Sequence, residues 1–136
     1  MYKLLIIMFM FGSDYLHKET VKSVELSYQT RGMQKFLFIT SDSIEVKIND
    51  KISKYKTTKS QWQKILKTFD KMKLSGISKL KRPSTESYHD GAMMSQLKVT
   101  TNRKEYNSIG FDHDMPPSAL VKTINAMKAT VKNGDF

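Results

Sequence analysis

The side chains able to do chemistry gather in three short stretches. Tyr88, His89 and Asp90 precede Gly91 in one, Asp112, His113 and Asp114 form the second, and Arg31 with Gly32 forms the third. Carboxylate oxygens and imidazole nitrogens are the ligands a divalent cation takes, so His89, Asp90, Asp112 and His113 compose a conceivable set for a metal-dependent hydrolase. The same stretches allow an anion site, with His113 and Arg31 framing the start of a helix. A third reading needs no ligand. Asp90-Gly91 is an ordinary turn pair, and Asp114 can accept the free N–H groups of a helix opening at Pro116-Pro117. Neighbouring side chains of a strand point to opposite faces, so Asp112 and His113 look the same way only if the strand has ended. Turns and capping explain these residues with the fewest conditions. Arg31, Tyr88, His89, Asp90, Asp112, His113 and Asp114 remain the candidate ligand or anion site.

The elements that would position them follow from hydrophobic spacing. Val24, Leu26 and Tyr28 alternate with polar neighbours, as do Ile44, Val46 and Ile48, and each set marks a half-buried strand. Between them residues 34–40 (QKFLFIT) are rich in strand-forming types. Arg31-Gly32, residues 41–43 and residues 49–51 supply the turns, and a shorter strand runs through Ile52 and Tyr55. The period then lengthens: Trp62, Ile65, Leu66, Phe69 and Met72 are spaced by three or four, which predicts a helix over 58–72. Thr58 or Ser60 would cap it and Gly76 would stop it in a left-handed conformation. Its aromatic stripe reads as core. A long irregular stretch, 80–93, precedes two strands, 97–101 and 105–111, and Leu120, Ile124, Met127 and Val131 mark a last helix ended by Asn133-Gly134. The expectation is an α+β fold, a mainly antiparallel sheet in the order four strands, helix, two strands, helix, with both helices packed on one face.

Composition narrows the function classes. At 136 residues the chain has room for one core. With no cysteine, disulfides, thiolate zinc sites, thiol nucleophiles and a lipidated cysteine are excluded from these residues. The formal charge is +10, which favours anionic partners, but only Arg31, Arg82 and Arg103 among the 23 basic residues are arginines. Lysine is a solvated point charge, whereas bidentate reading of bases and phosphates leans on arginine. The lysines are also spread along the chain, so a solvated basic surface is expected in preference to specific nucleic-acid recognition. Basic nucleic-acid binding stays as an alternative. Ser84 lacks the strand–turn–helix elbow that would activate a serine, and no glycine-rich phosphate loop, HExxH or EF-hand pattern exists. No catalytic residue, metal or cofactor is assigned.

The start reads differently from the rest. Residues 1–3 are short and basic, residues 4–11 (LLIIMFMF) are unbroken apolar, and Gly12-Ser13 lead into polar chain at Asp14. That is the order of a secretory signal, though Phe11 suits a small-x-small cleavage site poorly. The run is far short of the roughly 20 apolar residues a spanning helix needs, so no transmembrane span is expected. A fully buried first strand is the alternative. Residues 14–22 lack periodicity and read as a linker. The chain thus divides into an export signal and linker over 1–22 and a single α+β domain over 23–136, exported to the periplasm or cell envelope.

The combination of Arg31-Gly32, Pro83-Ser84 followed by Asp90-Gly91-Ala92, then Phe111-Asp112-His113 with Pro116-Pro117 behind it, resembles a family of small exported proteins of Bacteroidetes-type bacteria. The resemblance covers residues 24–131. Members are often lipoprotein-like at the N-terminus, whereas this chain has no cysteine there. The family is uncharacterised in activity, so the resemblance implies an address and no chemistry. Together these readings point to a non-catalytic binding or accessory protein of the cell envelope, with an anionic ligand or an envelope protein as partner.

Overall fold

The structure, a computed structural model, describes residues 18–136. The expected signal segment lies outside the described residues. Seven strands form one antiparallel sheet: β1 (Val21–Thr30), β2 (Met33–Thr40), β3 (Ser43–Ile48), β4 (Lys51–Lys56), β5 (Met94–Thr101), β6 (Glu105–Asn107) and β7 (Phe111–Asp112). Their order is β4-β3-β2-β1-β5-β6, and β7 returns to pair with β5. Two short helices, α1 (Lys59–Lys67) and α2 (Val121–Lys128), and three 3-10 turns, Leu74–Lys79, Glu86–His89 and Ser118–Leu120, complete the chain. No helix among the described residues is long and apolar enough to cross a membrane.

The meander β1–β4 follows from local chemistry. Cross-strand rows carry the core: Val24 opposes Ile39 and Val99, Leu26 opposes Leu37 and Leu97, and Leu37 in turn opposes Val46. These side chains are all buried. A one-residue slip would move every one of them to the other face, so the pattern fixes the register. Gly32 takes φ +76° in the β1–β2 turn and Asn49 takes φ +52° in the β3–β4 turn, as two-residue hairpin loops require. The Asn49 carboxamide also accepts from the Gln34 amide at 2.9 Å, tying the second hairpin to the first. β4 forms one edge of the sheet and carries Lys51, Lys54 and Lys56, all exposed.

Over this sheet α1 contributes Ile65, the first 3-10 turn Ile77, and the C-terminal segment Leu120, Ile124 and Met127, all packed into one cluster with Leu26 and its neighbours. The expected order and packing are corrected here. The described chain has a seventh strand, and the covering layer is two short helices joined by the 3-10 turns Leu74–Lys79 and Ser118–Leu120, while the turn Glu86–His89 lies against Asp112 instead. The helix expected over 58–72 ends at Lys67. Its start is as expected, with the Thr58 hydroxyl accepting from the Gln61 amide at 3.1 Å and the Gln61 side chain returning the bond at 2.9 Å. Its end comes early because Thr68 donates both its amide and its hydroxyl to the Ile65 carbonyl, at 3.0 and 2.6 Å, which tightens the last turn. The Thr68 hydroxyl then accepts from Thr123 at 2.8 Å, joining α1 to α2. Gly76 is not the helix stop. It lies within the 3-10 turn Leu74–Lys79, outside the left-handed region.

The seventh strand arises where one strand was expected over 105–111. Ser108 interrupts it: its amide donates to the Leu97 carbonyl at 2.8 Å and its hydroxyl accepts from the Leu97 amide at 2.9 Å. A side-chain oxygen thus takes the place of a backbone carbonyl, the pairing breaks, and the chain rejoins β5 only at Phe111 and Asp112.

Candidate functional site

The register of β7 decides how its residues are used. Asp112 stands opposite Met94, and Phe111 opposite Ser95, which is itself the partner of Tyr28. Tyr28 and Phe111 belong to the helix-covered core, so Asp112 and Met94 point to the other face. The loop from Leu80 to Met93 crosses to that face and covers them, its Ser87 hydroxyl reaching the Met94 sulfur at 4.0 Å.

Asp112 is the centre of this arrangement. Its side chain is 1% exposed and every approach to it is polar. Arg82 Nη2 donates to Oδ1 at 3.0 Å, the Ser87 amide to the same oxygen at 3.1 Å, and the Glu86 amide to Oδ2 at 2.9 Å. Those two amides are the free donors at the start of the 3-10 turn Glu86–His89, so a carboxylate from β7 caps a turn 25 residues earlier in the chain. Burial alone would push this carboxyl up, but the Ser87 and Ser84 hydroxyls and the Ser87 and Glu86 amides outweigh it and hold Asp112 well below the ordinary carboxylate range. Arg82 bonds Ser87 Oγ at 2.9 Å as well and stacks over the exposed Tyr88 ring, 4.3 Å from its centroid. One nitrogen, Arg82 Nε, is buried with no acceptor among the described residues.

His113 turns the opposite way. Its ring meets Tyr28 edge-on, centroids 5.5 Å apart, on the helix-covered side. Its amide donates to the Met93 carbonyl at 2.9 Å, and Nδ1 accepts from the Met93 amide at 3.1 Å. Because a backbone N–H is aimed at Nδ1, the ring hydrogen belongs on Nε2, and the 3.9 Å approach of Nδ1 to Asp114 is not a hydrogen-bonded ion pair. Tyr28 is no acid–base partner either, since burial pushes its phenol up to about 12.

The seven residues singled out in the sequence are therefore not one cluster. Asp112 lies beneath the loop with Tyr88 beside its arginine, His113 on the reverse face, and Asp114 is exposed. Asp114 caps nothing: neither the Ser118–Leu120 turn nor α2 has a side-chain cap. His89 and Asp90 are exposed, and Asp90 takes φ +57° where the 3-10 turn ends, with the Gly91 amide returning to the Glu86 carbonyl at 2.9 Å. Arg31 is exposed at the β1–β2 hairpin tip. Among the described residues no three His, Asp or Glu side chains come together as a metal-ligand set. Sequence reasoning missed Arg82 and Ser87. The available signal was a rare arginine beside Pro83 in a lysine-rich chain, yet its partner lies 30 residues away.

The rest of the face away from the helices carries no further element among the described residues and is patterned. Phe38 stands between Glu25 and Glu45, which pair outward with Lys98 at 3.5 Å and Lys54 at 3.3 Å, and Phe36 lies two residues along the same strand. Shallow cavities occur on both faces, and five of them are lined by none of the seven candidates. Comparison with protein families, with curated proteins and with solved structures finds no match to this chain.

Proposed function

We propose that the protein is a non-catalytic binding or accessory protein of the cell envelope. The observation that carries the non-catalytic half is the use made of Asp112. It is the buried carboxylate of the described chain, and Arg82, Glu86 and Ser87 occupy both its oxygens in holding a loop. A general base or metal ligand needs a free lone pair facing a substrate. His113, the other buried-side candidate, spends Nδ1 on the Met93 amide. Asp112 is thus committed to the loop, and His89, Asp90, Asp114 and Arg31 are exposed away from it.

The envelope half rests on the basic start, the apolar run over residues 4–11 and the resemblance to exported Bacteroidetes-type proteins. An anionic ligand or an envelope protein is the partner that a charge of +10 suits. Expression of the full chain in a bacterial host, followed by fractionation and N-terminal sequencing, tests this half. Recovery from the periplasm or envelope with a new N-terminus between residues 12 and 22 is expected. Recovery from the cytosol with Met1 or Tyr2 intact overturns it.

A further inference from the structure

Between the end of α1 and the 3-10 turn Ser118–Leu120 the surface opens into a cavity of about 430 Å3. Its floor is apolar, with Ile77 buried and Met72 and Leu80 half-buried. Its rim is cationic: Lys71, Lys73 and Lys122 line it and no carboxylate does. None of these three lysines forms a salt bridge with a described residue. Four other cavities lack this combination. Glu19 and Asp70 line one, Asp135 another, Glu25 and Glu45 a third and Asp50 a fourth.

We infer that this cavity binds a single-chain anionic amphiphile, a free fatty acid, with its tail against Ile77, Met72 and Leu80 and its carboxylate among Lys71, Lys73 and Lys122. The volume is of the size that small-molecule sites use, roughly 300–1,000 Å3. The floor is apolar but small in extent, which suits a single flexible tail. Lysine suits the rim, because its aliphatic stem covers the tail while the ammonium stays wet beside the head group. Three lysines without a carboxylate partner among the described residues repel one another around an apolar floor, and one bound carboxylate relieves that repulsion. The inference deepens the reading of a non-catalytic binding protein by naming a site and a ligand class. It does not depend on where the protein resides.

Calorimetric titration of the full chain with dodecanoate, below its micellar concentration, tests it. One dodecanoate per chain is expected, with dodecan-1-ol and acetate each binding at least about tenfold more weakly, because each lacks one half of the recognition. Methyl NMR should place the perturbation at Met72 and Ile77. Two variants act independently on the site. The triple substitution Lys71→Gln, Lys73→Gln, Lys122→Gln removes the rim and should weaken binding by about tenfold or more. Gly76→Leu should block the tail without backbone strain, since a Cβ there meets no atom within 4 Å and its φ is not left-handed. Equal affinity for dodecan-1-ol, unchanged affinity in both variants, or methyl shifts confined to other regions would overturn the inference. Binding to anionic phosphatidylglycerol vesicles without binding to dodecanoate would also overturn it, in favour of a membrane surface. A failed titration leaves the localisation result untouched, and cytosolic recovery leaves the titration untouched.

Discussion

The meander β1–β4 and the segment from Leu80 to Pro117 are built on different principles, though they share one sheet. In the meander, each strand meets the next through a two-residue loop, and apolar rows such as Leu26, Leu37 and Val46 fix the register. Contacts are short in sequence and their energy is burial. In the later segment β5 shares those rows through Leu97 and Val99, but the loop and the chain after β6 are also held by polar groups far apart: Asp112 to Arg82, Ser108 to Leu97, His113 to Met93. The first region follows the general rule of alternation. The second depends on single atoms, so it should fail at single atoms.

That contrast can be broken or sharpened by three measurements. The largest effect is expected from Asp112→Ala, which strands the Arg82 guanidinium and two amides away from water. Loss of one partner from a buried pair costs about 3–5 kcal/mol. Amide exchange should show Glu86 and Ser87 opening first while Leu26 and Leu37 stay protected. Uniform acceleration across the whole sheet would mean the two regions form one cooperative unit. Leu26→Ala comes next, with a loss of about 2–5 kcal/mol from a fully buried site at the centre of the sheet. Here denaturant unfolding should show one transition shifted as a whole, and protection lost only in residues 82–93 would contradict the comparison.

The third and smallest effect is in acid. The folded Asp112 carboxyl lies below its ordinary value of 3.8, so it binds a proton more readily when unfolded. Its stabilising contribution is therefore complete above the unfolded value and is lost as pH falls from about 4 toward the folded value. Asp112→Asn should flatten that part of the stability–pH curve relative to the unmodified protein. Parallel curves for the two proteins between pH 5 and pH 2 would show that the carboxylate is not the titrating clamp.

The same division explains what could be read from the sequence. The alternation of Val24, Leu26 and Tyr28, the loop at Arg31-Gly32 and the helix cap, which falls on Thr58 of the two residues offered, are local signals read from spacing. The early end of α1 was hidden because Thr68 acts through a hydroxyl bond to Ile65 and a second to Thr123, and a hydrophobic period cannot register either. The seventh strand was hidden because Ser108 looks like an ordinary strand residue. For the candidate site, β7 ends at Asp112, so alternation alone does not place His113, and no spacing could reveal which residue would face each of them. The motif residues themselves have structural tasks: Gly32 and Asp90 adopt positive φ, Ser84 and Asp112 hold the loop start, and Pro117 precedes the last helical segment.

One consequence of the β4 margin concerns crowding of identical copies. Its outward N–H and C=O groups are a docking rail for any extended peptide, including another β4. Lys51 and Lys56 make such a meeting a collision of four ammonium groups when two chains approach, Lys54 being paired with Glu45. That veto is electrostatic, so it weakens as the Debye length shrinks from about 10 Å in 0.1 M salt to 3 Å in 1 M. Colloidal stability of the protein is thus tied to ionic strength through two lysines on a single ribbon.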